Sequence, residues 1–228
     1  MLQRENILYI RLQLTRSLSM GNSLLTYSID KIHSALNTDG FVFLKNFGEK
    51  NVVTRIHELG TIIMTTDVTV SSEKRNLVNS SLALDFHTDH HKARYIAWYC
   101  YKQTDLGGES KLVDARTSYE QLPEDYKKRL QEIHLFEHKI FDDDSESIPL
   151  VTLIDEKPHF YYSFWLVKEE DKQDPAFVAF RKGLANNHFL KLRLEEDDLL
   201  IIDNHRILHG RTAIKGSQDR FLKRFWIA

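Results

Sequence analysis

The first part of the chain alternates between helical and strand spacing. Ile7 to Leu14 alternates with period two in its second half and predicts an initial strand. Ile29 to Leu36 carries apolar side chains at 29, 32, 35 and 36, with Ser28 available as an N-cap, and predicts a short helix. Gly40 then releases the chain into a buried strand, Phe41 to Leu44. Val52, Val53, Ile56, Leu59, Ile63 and Met64 recur at helical spacing and predict a helix over about Val52 to Met64.

From Leu82 onward the apolar runs are short and bounded by turn residues. Strands are predicted over Leu82 to His87, Tyr95 to Tyr101, Ser110 to Val113, His134 to Phe141, Leu150 to Ile154, Phe160 to Leu166, Leu190 to Leu194, Leu199 to Asp203 and Leu222 to Ile227. Helices interrupt them at Glu124 to Gln131, behind Pro123, and at Pro175 to Ala185. Many short strands with few helices predict a mainly β fold of two packed sheets, a sandwich or jelly roll, with flanking helices outside it. No repeat, linker or low-complexity segment divides the chain, so one domain over residues 1–228 is expected.

Composition narrows the function. The 228 residues are 42% apolar and 28% charged, enough to bury a core without disulfides or a structural metal. Lys+Arg of 31 against Asp+Glu of 33 leaves a net charge of −2, which argues against nucleic acid as a partner. The only cysteine, Cys100, cannot form an intramolecular disulfide and reads as a small core residue. Met1 to Met20 lacks the apolar core and cleavage pattern of a signal peptide, and no run approaches the length of a membrane span. A soluble cytoplasmic protein is expected. The acidic run Asp142-Asp143-Asp144 reads as a solvated loop, because no calcium-ligand spacing follows it.

The chemistry concentrates in two distant segments. Leu84-Asp85-Phe86-His87-Thr88-Asp89 ends in His-x-Asp, and alternation along a strand would place His87 and Asp89 on one face, able to converge on one ion. A third ligand is needed. Leu199 to Asp203 runs into Asn204-His205-Arg206-Ile207-Leu208-His209-Gly210-Arg211, which offers two histidines four residues apart, and either could complete the set. Two histidines and a carboxylate on one side of a metal leave the opposite positions open, the facial arrangement of non-heme Fe(II) oxygenases. The same donors could serve a zinc hydrolase or a cupin-like metal-binding protein without oxygenase activity. Arg220, eleven residues after His209, offers a planar fork that matches a carboxylate in a way lysine cannot.

Together with Gly107-Gly108-Glu109-Ser110, the segments Asp203 to Arg211 and Asp219-Arg220-Phe221-Leu222-Lys223-Arg224 carry a resemblance. From the Gly40 strand to the C-terminus, the chain resembles the taurine dioxygenase and clavaminate synthase-like superfamily of Fe(II)/2-oxoglutarate dioxygenases, most closely its amino-acid hydroxylases. The resemblance implies a double-stranded β-helix with His87, Asp89 and His209 as iron ligands, the ligand position falling before Gly-Arg. It also implies that Arg220 pairs with the distal carboxylate of 2-oxoglutarate, that Ser110 donates a hydroxyl to it where many relatives carry threonine, and that Arg224 reaches substrate or braces Arg220. The implied cofactor is Fe(II), with 2-oxoglutarate and O2 as cosubstrates and succinate and CO2 as coproducts. An aspartate at the carboxylate position, where halogenating relatives carry a small residue, implies hydroxylation or another oxygen-derived outcome.

The substrate expected is a small polar molecule, such as an amino acid or an amino-acid-derived intermediate. His90 and His91, beside the metal motif, are expected to support it or face solvent. Asp203 and Asn204 are expected to fix a turn. His33, His57, His134, His138, His159 and His188 have no ligand spacing, and the aromatic run Phe160 to Trp165 reads as core. At this length any insertion lidding the substrate must be short.

Overall fold

A computed structural model of the chain describes residues 28–70, 78–145 and 147–228. The strand expected over Ile7 to Leu14 lies outside the described residues.

Behind Ser28 the chain forms α1 (Ile29–Asp39), which Gly40 ends in the left-handed conformation, φ 80°, with its N–H closing on the Leu36 carbonyl at 3.0 Å. Strand β1 (Phe41–Leu44) follows. Helix α2 (Val52–Leu59) stops at Gly60, five residues short of the expected end, and the chain becomes strand β2 (Ile62–Thr69). Ile63 and Met64 fit a helical period, but the run from Ile62 to Thr69 is rich in β-branched residues. It pairs along its length with a C-terminal strand that local periodicity cannot see.

The remaining strands are β3 (Leu84–His87), β4 (Tyr95–Lys102), β5 (Ser110–Asp114), β6 (His134–Phe136), β7 (Ser147–Pro149), β8 (Val151–Ile154), β9 (Lys157–Phe160), β10 (Leu190–Leu192), β11 (Leu199–Asp203), β12 (Ile207–Arg211) and β13 (Phe221–Ile227). The helices are α3 (Ala115–Glu120), α4 (Glu124–Glu132) and α5 (Pro175–Asn186). The strand expected over His134 to Phe141 is shorter than its apolar run, and the one expected over Phe160 to Leu166 does not form, β9 ending at Phe160. The segment after Phe136 loops, and beyond Phe160 a single 3-10 turn covers Phe164–Leu166. The unexpected α3 carries a local signal, since the Asp114 carboxylate accepts the Arg116 N–H at 3.0 Å as an N-cap.

Two antiparallel sheets face each other. One has the order β1-β11-β4-β13-β2 and the other β10-β5-β12-β3. Parity along the strands sorts the side chains. Leu200 and Ile202 of β11, Ile96, Trp98 and Cys100 of β4, and Leu222 and Trp226 of β13 pack between the sheets with Leu112, Leu192 and Ile207 of the second sheet. Their neighbours Leu199, Ile201, Tyr95, Ala97, Tyr99 and Phe225 pack outward against α1 and α2. On the far side, Val113 and Leu208 pack against α3, α4 and α5 through Tyr119, Leu130, Phe177, Phe180 and Leu184. A strand covered on both faces reads as a continuous apolar run, which explains Leu-Leu-Ile-Ile in β11.

Cys100 lies in the inner layer, fully buried and free, with burial pushing its thiol up to about 12. No helix among the described residues is long and apolar enough to cross a membrane.

Candidate metal and keto-acid site

The space between the sheets opens into a cleft. Strand parity decides which polar side chains enter it. In β12, His209 is two residues from the inward Ile207 and shares its face; in β5, Ser110 is two from Leu112; around β13, Arg220 and Arg224 flank the inward Leu222. His87, Ser110, His209, Arg211, Arg220 and Arg224 all line this cleft.

His209 and His87 face each other as register partners of β12 and β3, with ring centroids 4.2 Å apart. His87 Nδ1 lies 2.9 Å from the Asp85 carbonyl. A carbonyl only accepts, so Nδ1 carries the proton and the Nε2 lone pair is free. Strand β3 ends at His87, so Asp89 is not positioned by strand alternation. Its backbone N–H donates to Asn204 Oδ1 at 2.8 Å, and Asn204 Nδ2 donates to the His90 and Ala93 carbonyls at 3.2 and 2.9 Å. Asn204 sits in the turn between β11 and β12, so one buried amide ties together the two segments that carry the triad. Ligand-type atoms of His87, Asp89 and His209 lie within 4.8 Å of one another, all buried.

Asn204→Ala removes that amide and leaves buried backbone groups unpaired, at roughly 1–3 kcal/mol each. The expected result is a midpoint of denaturant unfolding well below wild type, with a matching loss of metal affinity. An unchanged midpoint would remove Asn204 from this role.

Electrostatics favour a metal-ready state. Burial lowers the pKa of His87, and burial followed by the neighbouring His87 ring holds His209 well below its ordinary value, so both imidazoles are neutral. Burial pushes the Asp89 carboxyl up, but the Arg224 guanidinium beside it, with the Trp226 N–H, holds it below the ordinary carboxylate value. Arg224 Nη1 lies 3.0 Å from each Asp89 oxygen, its Nε donates to Thr66 Oγ1 at 3.1 Å, and Trp226 Nε1 donates to Asp89 Oδ2 at 3.0 Å.

Arg220 is 3% exposed and has no carboxylate partner among the described residues. Its Nε donates to Gln103 Oε1 at 3.0 Å, while Nη1 has no partner. Burial, then repulsion from Arg211, lowers its pKa to about 10. An uncompensated buried guanidinium aimed into a cleft is costly unless an anion joins it. Arg211 donates to the Val78, Ser80 and Leu82 carbonyls, drawing residues 78–82 over the cleft. Gln103 and Arg211 were missed from sequence, since neither has a ligand-type pattern and both act through contacts distant in the chain.

His205 turns away from the triad. Its Nε2 donates to the His91 carbonyl at 2.7 Å, and its ring lies 5.0 Å from that of His159. His90 is buried, not solvent-facing. Among the aromatics expected in the core, Phe160, Tyr161 and Tyr162 are buried, whereas Trp165 is 36% exposed with its ring 5.2 Å from that of His87.

The glycine after His209 has a steric cause. A Cβ on Gly210 would sit 2.7 Å from the Leu84 carbonyl and 3.1 Å from that of Asp85. Gly210→Ala is therefore expected to push β12 off β3 and separate His209 from His87. Metal retention after desalting checks this, and retention equal to wild type would contradict it.

Two neutral histidines and a carboxylate between antiparallel sheets, beside a buried arginine whose Nη1 has no partner, form a donor set that could hold a metal ion. A family model, the taurine catabolism dioxygenase TauD, TfdA family, matches residues 14–226, and the chain belongs to that family. It is an Fe(II)/2-oxoglutarate-dependent dioxygenase, using Fe(II), 2-oxoglutarate and O2. No curated protein matches the chain by sequence.

Among solved structures, it is similar to an asparagine oxygenase in complex with Fe(II), (2S,3S)-3-hydroxyasparagine and succinate, at TM-score 0.71 and 15% identity over 89% of this chain and 80% of that one. It is also similar to the non-heme iron oxygenase OrfP in complex with Fe, succinate and (3S)-hydroxy-L-Arg, at TM-score 0.69 and 17% identity over 88% and 80%. PvcB from Pseudomonas aeruginosa gives TM-score 0.64 and 14% identity over 88% and 80%. At these identities the likeness is one of fold.

Proposed function

We propose that the protein hydroxylates an unactivated C–H bond of a small polar molecule of the amino-acid class, with His87, Asp89 and His209 holding the iron. The buried guanidinium of Arg220, whose Nη1 has no partner and which meets no carboxylate among the described residues, carries this reading, because it fits a cosubstrate that brings a carboxylate. Arg220 would take the distal carboxylate of 2-oxoglutarate, with Ser110 on the same wall contributing its hydroxyl. Arg224, between Asp89 and the cleft, would hold Asp89 in orientation and present positive charge to the keto-acid end or to a substrate carboxylate. The two sheets would be the halves of a double-stranded β-helix enclosing the site.

When bound, Fe(II) with 2-oxoglutarate and O2 supplies the oxidation that puts one oxygen atom into the substrate C–H and the other into succinate, with loss of CO2. The chain's own residues do the rest. Asp85 fixes the His87 tautomer, Asn204 and Trp226 fix Asp89, and Trp98, Leu200 and Leu222 keep the cleft wall apolar. Trp165 marks the solvent side of His87, where a substrate would approach. Two neighbours of this fold hold hydroxylated asparagine and hydroxylated arginine, which supports an amino-acid substrate.

The test is a screen of amino acids and related metabolites for substrate-dependent succinate release, with mass spectrometry of the product. The expected result is one compound that couples succinate release to the gain of one oxygen atom. Succinate release with no oxygenated product from any amino acid would overturn the substrate class.

A further inference from the structure

A second group of metal-ligand side chains begins one residue beyond Asp89. Nε2 of His90, Nε2 of His91 and one carboxylate oxygen each from Glu137 and Asp144 lie within 4.8 Å of one another. The side chains of His90, Glu137 and Asp144 are wholly buried, whereas His91 is 30% exposed and leaves a path inward. Of the two buried carboxylates, Asp144 is met by Lys92, whose Nζ binds its Oδ1 at 2.8 Å and is shared with exposed Asp143.

The directions of its atoms matter more than their proximity. His90 Nε2 lies 3.1 Å from Asp144 Oδ2 and 3.5 Å from Glu137 Oε1, and His91 Nε2 is in close contact with Glu137 Oε1. Nε2 of His90 thus faces both carboxylates, and His91 Nε2 and Glu137 Oε1 are buried atoms without a well-aligned hydrogen bond among the described residues. Four ligands around a tetrahedral ion with bonds of about 2.0–2.1 Å stand about 3.3 Å apart, and the two His90 separations bracket that value. His91 and Glu137 would part to admit the ion.

Ser145 Oγ donates to Glu137 Oε2 at 2.8 Å and so leaves Oε1 for the ion. Asp144 Oδ2 accepts the Ile140 and Phe141 N–H groups at 2.8 and 2.6 Å, contacts that would lengthen as that oxygen takes the ion. His90 Nδ1 accepts the Lys92 N–H at 3.2 Å, and binding through Nε2 would give up that long contact by moving the ring proton to Nδ1.

We propose that His90, His91, Glu137 and Asp144 form a second, structural metal site for a divalent first-row transition ion, with zinc the best fit. Four protein ligands leave no open position, the mark of a structural site, and two imidazoles disfavour calcium and magnesium, which prefer oxygen. The ion would tie the 137–145 loop to the chain directly after Asp89. The His90 ring also stacks 5.9 Å from Trp226, whose indole N–H holds Asp89, so the site would brace the catalytic carboxylate from outside.

The experiment counts metal in full-length protein stripped with a chelator, titrated with zinc chloride and desalted. Wild type is expected to retain about two zinc ions per chain. The variant H87A/H209A, which leaves the second cluster intact, is expected to retain about one, and adding H91A and E137Q to it should leave none. Cobalt in H87A/H209A should give the intense visible absorption of a four-coordinate ion. Zero retained metal in H87A/H209A, or cobalt bound there without that absorption, would overturn the proposal, whether or not the quadruple variant folds. Failure of the iron assignment would show instead in wild type against H87A/H209A turnover, so the two readings fall separately.

Discussion

Arg220→Ala is expected to raise the 2-oxoglutarate requirement by well over an order of magnitude while leaving iron binding in place. Removing one partner of a desolvated, hydrogen-bonded charge pair costs roughly 2–5 kcal/mol, which is about 30-fold or more in affinity. The apo enzyme should not suffer in proportion. Without the cosubstrate the guanidinium is buried and, among the described residues, has Gln103 as its hydrogen-bond partner and no carboxylate, so its removal relieves a desolvated charge. Arg220→Gln should therefore unfold at a temperature equal to or above that of wild type without ligand, yet lose the upward shift that 2-oxoglutarate gives wild type. Arg220→Lys keeps a charge but not the fork, and should fall between alanine and wild type. An unchanged 2-oxoglutarate requirement in Arg220→Ala would move the distal-carboxylate role to another cation, Arg211 and Arg224 also lining the cleft.

His87→Ala, Asp89→Ala and His209→Ala are each expected to reduce succinate formation to background, whereas His205→Ala keeps its iron. The first three withdraw a donor from a set in which each residue offers one atom, leaving two ligands for an ion that needs three. His205 is engaged with the His91 carbonyl and stacked toward His159, so its loss does not touch the triad. Iron content after anaerobic loading and desalting, measured beside succinate release, separates loss of metal from loss of turnover. Iron lost from His205→Ala and kept by His209→Ala would reverse the ligand assignment.

Much of the candidate site was legible in the chain because its residues are of donor types in short motifs. His-x-Asp, His-Gly-Arg and the arginine eleven residues later each carry their meaning locally, and the structure brings all three to one cleft. The inward parity of Arg220 and Arg224 followed from strand alternation alone. The reasoning for Asp89 did not carry over: alternation was expected to place it, but β3 ends at His87 and an amide from another segment does the work.

Hydrophobic spacing was enough to predict two sheets with helices outside, because burial on one or both faces imprints a period on neighbouring residues. It also placed α1, α4, α5, β4 and β11 within a few residues of where they form. Apolar spacing did not separate the end of α2 from β2, because Ile63 and Met64 continue the helical period; Gly60 and the β-branched run mark the change, and pairing with β13, about 160 residues away, fixes the strand. Nor could it show that Gln103 steadies Arg220, that Arg211 closes residues 78–82 over the cleft, or that Glu137 and Asp144 meet His90 and His91. Those contacts have no period, because each joins side chains whose separation along the chain is set by folding and by nothing in the residues between them.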